Sequence, residues 1–159
     1  MIKNVKWIFV VLIISSLISF SFVGKDTPTE GLTIGDKAPT FTICGEKQLI
    51  DLKDLRGKYV LLSFWASYDA PSRVQNATLN HAIEQADNVE MVSVKSIFNE
   101  TIKKDRISTS NCFVELAGNS SDLFKTYRLN KGFKNFLLDK NGVIVAKDIT
   151  PSQLSSYLN

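Results

Sequence analysis

The chain holds two cysteines and one histidine, and that scarcity removes whole classes of chemistry. Cys44 and Cys112 lie far apart in sequence, so there is no CxxC redox pair, no zinc-knuckle spacing and no haem-attachment motif. His81 stands alone, without partners for a catalytic dyad or a metal-ligand set, and reads as a surface or boundary residue of a helix. The eight glycines form no phosphate-cradling loop, and neither HExxH nor GxSxG occurs. No metal and no organic cofactor is therefore expected. Internal repeats and low-complexity tracts are also missing. A dominant charge is missing as well: of 19 Lys+Arg, Lys3 and Lys6 belong to the extreme N-terminus, which leaves 17 against 16 acids. That near balance excludes a nucleic-acid partner, which needs a clustered basic stripe with stacking aromatics.

One long hydrophobic run is present. Lys3 and Lys6 precede Trp7 to Val23, which is apolar except for Ser15, Ser16, Ser19 and Ser21. A basic start followed by an apolar stretch is an export signal. Ser19-Phe20-Ser21 offers small residues for cleavage, while the run is also close to the roughly 20 residues that a membrane span needs. The expected organisation is a signal peptide or membrane anchor over 1–24, a polar tether over 25–33 and one domain over 34–159. With the lysines inside, that domain lies outside the cytoplasm, periplasmic or in the envelope, whether secreted or anchored.

Beyond residue 40, short β-type runs alternate with longer helical ones, the pattern of an α/β domain. Thr40–Cys44 and Gln48–Asp51 read as an N-terminal hairpin. Tyr59–Trp65 and Val89–Val94 read as parallel strands around a helix from about Ala70 to Ala86. The unbroken apolar character of the first predicts a central strand buried on both faces. A helix over Asn99–Arg106, a strand over Cys112–Leu116 and a helix over Asp122–Tyr127 follow. Phe136–Asp139 and Val143–Lys147 flank Asn141-Gly142, a strong hairpin signal. Thr150, Pro151 and Gln153 are an N-cap, a first-turn proline and the third-position partner of a capping box.

Against that frame, Phe64-Trp65-Ala66-Ser67-Tyr68-Asp69-Ala70-Pro71-Ser72-Arg73 resembles the F-W-A-[ST]-W-C-x-P-C-R turn of the extracytoplasmic thioredoxin-like thiol-disulfide oxidoreductases, the cytochrome c maturation type, which are related to the peroxiredoxins. Ile34–Thr42 resembles that family's G-x-x-A-P-x-F segment and Leu55–Lys58 its L-x-G-K. Tyr127-Arg128-Leu129 and Phe136–Gly142 resemble its Y-x-V and F-L-I-D-x-x-G. The resemblance runs in order from Ile34 to the C-terminus. It implies a thioredoxin fold, a central mixed sheet flanked by helices, with the N-terminal β-hairpin of the extracytoplasmic branch. It also places Asp69 and Ser72 where the family has its two cysteines and Phe133 where it has a cis-proline. A cis bond before a non-proline residue costs about 3 kcal/mol, so a trans loop is expected there.

A carboxylate at Asp69 can accept the helix N–H bonds that favour a thiolate in the family, but it cannot attack a disulfide. Without a thiol at Ser72 there is no resolving step, and peroxide reduction at this turn is lost by the same substitution. Asp69 is either a fixed anion recognising a partner or an ordinary N-cap. Trp65, Tyr68, Ser72 and Arg73 are the neighbouring binding candidates. On the opposite loop Phe133 and Lys134 are the candidates, flanked by Arg128 and Lys131. Lys134 could close the groove by pairing with Asp69, or the basic loop and Phe133 could form a peptide-docking face. Cys44 and Cys112 sit in apolar stretches where a free thiol packs as a small hydrophobe, a disulfide or a reactive thiol being the alternatives. The resulting expectation is a redox-inactive thioredoxin-like module that binds an envelope protein or peptide, with Trp7 to Val23 as a membrane tether if it is retained. The competing expectation is an oxidoreductase or thiol peroxidase whose thiol has moved to Cys112 or Cys44.

Overall fold

The computed structural model describes residues 27–44, 49–84, 86–96, 112–115 and 121–158. The signal or anchor over 1–24, the helix expected over Asn99–Arg106 and the side chains of Cys44 and Cys112 lie outside the described residues. Among the described residues five strands form the main sheet: β3 (Tyr59–Ala66), β4 (Val89–Ser96), β5 (Cys112–Glu115), β6 (Asn135–Leu138) and β7 (Ile144–Lys147). Their order is β5-β4-β3-β6-β7, parallel across β3, β4 and β5 and antiparallel across β3, β6 and β7. A separate antiparallel pair, β1 (Thr42–Cys44) and β2 (Leu49–Asp51), is the expected N-terminal hairpin, with Ile43 opposite Ile50. Among the described residues three α-helices flank the sheet: α1 (Ala70–Ile83), α2 (Asp122–Thr126) and α3 (Pro151–Leu158).

Strand β3 is the centre, and its side chains divide between two cores because successive residues point to opposite faces. Val60, Leu62 and Phe64 join Val92, Val94, Phe113, Phe136 and Leu138 on one face, beneath the β1–β2 hairpin and α2. Leu61 joins Leu79 of α1, Met91, Leu137 and Leu154 of α3 on the other. Leu61 and Leu62 are both wholly buried, so truncating either to alanine would cost about 2–5 kcal/mol.

Local signals set most element ends. Thr150 N–H donates to Gln153 Oε1 at 2.9 Å while Gln153 N–H reaches Thr150 Oγ1 at 3.4 Å, the reciprocal capping box. Asp139 Oδ1 accepts from the N–H groups of Asn141 and Val143, and Gly142 takes φ 78°, closing the β6–β7 hairpin. Helix α1 ends at Ile83 rather than near Ala86, because a tightened last turn, Ala86 N–H to Ile83 O at 2.9 Å, brings the chain round to start β4 at Val89.

Part of the stretch expected as a polar tether is hydrogen-bonded to the residues that follow it. Lys37 N–H donates to Thr29 O and Gly31 N–H to Lys37 O, at 2.9 and 3.0 Å. The same segment runs along β7: Gly35 N–H donates to Ile144 O, Ile144 N–H to Asp36 O and Ala38 N–H to Gly142 O. Tyr127, in an aromatic group with Phe41, Phe64 and Phe136, donates its hydroxyl to Pro39 O at 2.6 Å. Burial, reinforced by the Glu30 carboxylate, holds that phenol well above its ordinary range.

Candidate functional site

The candidate site is the turn that carries the chain from β3 into α1. Asp69 is the N-cap of α1: its backbone is extended at φ −101° and its Oδ2 accepts from Ser72 N–H at 2.9 Å. Pro71 lies in the first turn, where its missing N–H leaves no helical bond unmade. Ser72 faces inward and is 6% exposed. Its hydroxyl donates to Asp69 O at 3.1 Å and accepts from Ala66 N–H at 3.3 Å, tying the helix start to the strand end. Both side chains that replace a redox couple in the resemblance are thus spent on main-chain hydrogen bonds.

Of the binding candidates, Trp65 and Ser72 are both buried, Trp65 completely. The position of Trp65 in the sheet turns its ring inward against β4, where Nε1 donates to Ser93 Oγ at 2.8 Å. Ser93 Oγ in turn donates to Asn76 Oδ1 of α1 at 2.9 Å. Lys95, also fully buried, sets its ammonium 5.4 Å from the Trp65 ring centroid. Asn76 Nδ2 has no hydrogen-bond partner among the described residues. This polar seam beneath the turn was not foreseen from sequence. Its signal was there: Ser93 and Lys95 are polar residues interleaved with Val92 and Val94 in the second half of β4.

Tyr68 is the exposed aromatic of the turn, at 68%. It meets Phe133 edge-to-face at 6.0 Å between centroids, and Phe133 meets Phe124 at 6.3 Å. The turn and the Gly132–Lys134 loop are therefore neighbours, as the resemblance implied. Lys134 O accepts from Phe64 N–H at 2.9 Å, and Gly132 holds φ 119°, a conformation open to glycine. No cis peptide bond occurs among the described residues, so the loop before Phe133 is trans. The groove-closing pair of Lys134 with Asp69 is not formed among the described residues. Lys134 instead lines a cavity with Arg128, Lys131 and Lys147, on the side of the loop reached by β7. Arg73 is half-buried on the first turn of α1.

Strand, turn, capped helix and facing loop form the architecture of a thioredoxin-type site, and residues 34–147 match one family across that whole span. The chain belongs to the AhpC/TSA family. It is 28% identical to the thiol-disulfide oxidoreductase ResA of Bacillus cereus over 95% of this chain and 92% of that one. A thioredoxin-like protein from Parabacteroides distasonis superposes with a TM-score of 0.73 at 38% identity, covering 83% of this chain and 98% of that one. The thioredoxin domain of a thiol-disulfide oxidoreductase from Bacteroides vulgatus superposes with a TM-score of 0.70 at 23% identity over 81% and 100% of the two chains, a likeness of fold. This member of the AhpC/TSA family therefore has a thioredoxin-like fold and thiol-disulfide oxidoreductases for relatives. Its turn from Ser67 to Arg73 contains no sulfur.

Proposed function

We propose that this chain is an exported, redox-inactive thioredoxin-like module that docks an envelope protein or peptide at the Tyr68–Phe133 face. The observation that carries the reading is the state of the turn: Asp69 and Ser72 are both consumed in capping and closing the start of α1. Thiol exchange needs a nucleophilic thiolate and a leaving thiol, and a carboxylate and a hydroxyl supply neither. What remains at the surface is an exposed aromatic braced edge-to-face by a second ring, a form suited to an interface anchor. Export is supported by Lys3 and Lys6 ahead of the Trp7 to Val23 run.

The test is insulin or glutathione-disulfide reduction, with peroxide reduction alongside, by the full chain in detergent. No turnover is expected, and none should appear or disappear in Cys44→Ser or Cys112→Ser. Turnover abolished by either substitution would move the activity to a relocated thiol and end the inactive reading. Asp69→Cys with Ser72→Cys should create a titratable dithiol, since the strand-to-helix geometry already exists. A fusion of the first 35 or so residues to a reporter active only outside the cytoplasm tests export; a silent reporter would refute it.

A further inference from the structure

We infer a second site in this protein, separate from the turn: a pocket for a small polyanion bearing two or more carboxylate or phosphate groups. The cavity of about 400 Å³ lies between the N-terminal segment around Thr33 and the Arg128–Lys134 stretch. That volume is in the range of small-molecule sites, about 300–1,000 Å³. Four cations line it, Arg128, Lys131, Lys134 and Lys147, against one carboxylate, Asp36. Asp36 is already engaged, since its Oδ2 accepts from Thr33 N–H at 2.8 Å. Lys147 is held in place by donation to Leu32 O at 2.7 Å and by the Phe136 ring beneath it.

Such a concentration of charge is not the by-product of a basic protein, because the formal net charge of the whole chain is +3. Among the described residues none of the four cations is in an ion pair, unlike Lys58, which meets Glu90, and Lys125, which meets Asp122. Like charges gathered on a concave wall repel one another until an anion enters, and the same wall focuses their field on that anion.

The backbone gives an independent sign. Arg128 sits in the left-handed region at φ 54°, ψ 41°, where glycine, asparagine or aspartate is at home and a long side chain is seldom found. Strain retained at one residue points to a use for that residue, and the side chain delivered here lines the cavity. A guanidinium offers a planar fork for two oxygens of one carboxylate or phosphate, while the lysines act as point charges for further groups. One oxyanion would leave most of the four cations unmatched, which is why the ligand class carries at least two.

Isothermal titration of the full chain in neutral detergent with pyrophosphate, citrate and a glutamate-rich hexapeptide tests the site. Saturable binding that weakens as salt rises is expected. Arg128→Gly removes the guanidinium while relieving the backbone, so it should raise the melting temperature and weaken binding by about tenfold, a loss of the size one charge-assisted fork supplies. Lys131→Gln with Lys134→Gln, at solvent-accessible positions, should weaken binding further without unfolding the domain. Binding of pyrophosphate or citrate identifies a free small anion as the source, and binding of the peptide alone assigns the same pocket to acidic side chains of a partner. No saturable binding of any of the three, or equal affinity in wild type, Arg128→Gly and the double variant, overturns the inference. Tyr68→Ala should leave anion binding unchanged, which keeps this site's fate apart from that of the docking face.

Discussion

Replacing Asp69 with alanine removes the acceptor that Ser72 N–H uses at 2.9 Å, and the structure sets the cost. Loss of an aspartate N-cap is worth about 1 kcal/mol. Here the orphaned N–H belongs to a residue that is 6% exposed, so water cannot fully replace the lost oxygen and the penalty rises toward about 2 kcal/mol. The Ser72 hydroxyl is unaffected, because its partners are the main-chain groups of Asp69 and Ala66. Asp69→Asn keeps an acceptor and discards the charge, so it should lose only the dipole contribution, about 0.3–1 kcal/mol. For a domain of this size, thermal unfolding followed by circular dichroism should therefore fall by about 5–8 °C in the alanine variant and by about 1–3 °C in the asparagine variant. Equal losses in the two would mean that charge, not the hydrogen bond, is what matters at this position. An alanine variant as stable as wild type would refute the assignment of Asp69 to capping and free it for a recognition role.

Three further outcomes are expected. Ser93→Ala strips partners from both Trp65 Nε1 and Asn76 Oδ1 in a buried setting, so denaturant titration should show a loss of about 2–3 kcal/mol; a loss below about 0.5 kcal/mol would show that the seam is not structural. Tyr127→Phe should cost about 1 kcal/mol at neutral pH by removing the bond to Pro39 O, and it should also change the alkaline limb of stability. Above the ordinary phenol value of 10.0 the unfolded chain releases this proton while the folded chain keeps it, so the contribution present below that pH is lost as pH rises, with a slope of up to about 1.4 kcal/mol per pH unit. That part of the slope should vanish in the phenylalanine variant, and its persistence would contradict the burial argument. Tyr68→Ala, at 68% exposure, should shift stability by less than about 0.5 kcal/mol while abolishing capture of the docked partner from envelope extract by the tagged full chain; capture undiminished would exclude Tyr68 as an anchor.

The features legible in the sequence are those whose cause is local. The apolar run of β3, the Asn141-Gly142 hairpin and the Thr150–Gln153 box each carry their signal within a few neighbouring residues, and each formed as read. The turn itself was placed correctly because strand, cap and proline are contiguous. Trp65 stands beside the turn in sequence, which does not say what its ring packs against. Its burial depends on Ser93 and Lys95, which arrive from β4 through strand pairing. The cation cluster was half legible: Arg128, Lys131 and Lys134 are close in sequence, but Lys147 joins them only because the β6–β7 hairpin folds it back, and Thr33 and Asp36 only because the N-terminal segment crosses to meet them. The resemblance carried the cysteine and proline positions onto Asp69, Ser72 and Phe133. Asp69 took the N-cap role that was one of its two readings, whereas the two bonds of the Ser72 hydroxyl were in no motif, since they depend on which main-chain groups lie near it once the chain has folded.

The segment laid along β7 has a consequence for how copies of this domain meet. A sheet's outermost strand ordinarily presents unpaired N–H and C=O groups that can template another strand. Here the outward main-chain groups of Gly142 and Ile144 are already taken by Gly35, Asp36 and Ala38. The start of β7 is thus sealed by residues 35–38 of the same chain, so neither a second copy nor an extended peptide can pair with Gly142 or Ile144 through those main-chain groups. A version of the protein cut to start at Pro39 would lose the seal, and its tendency to polymerise side by side should rise even though every residue of the turn is still in place.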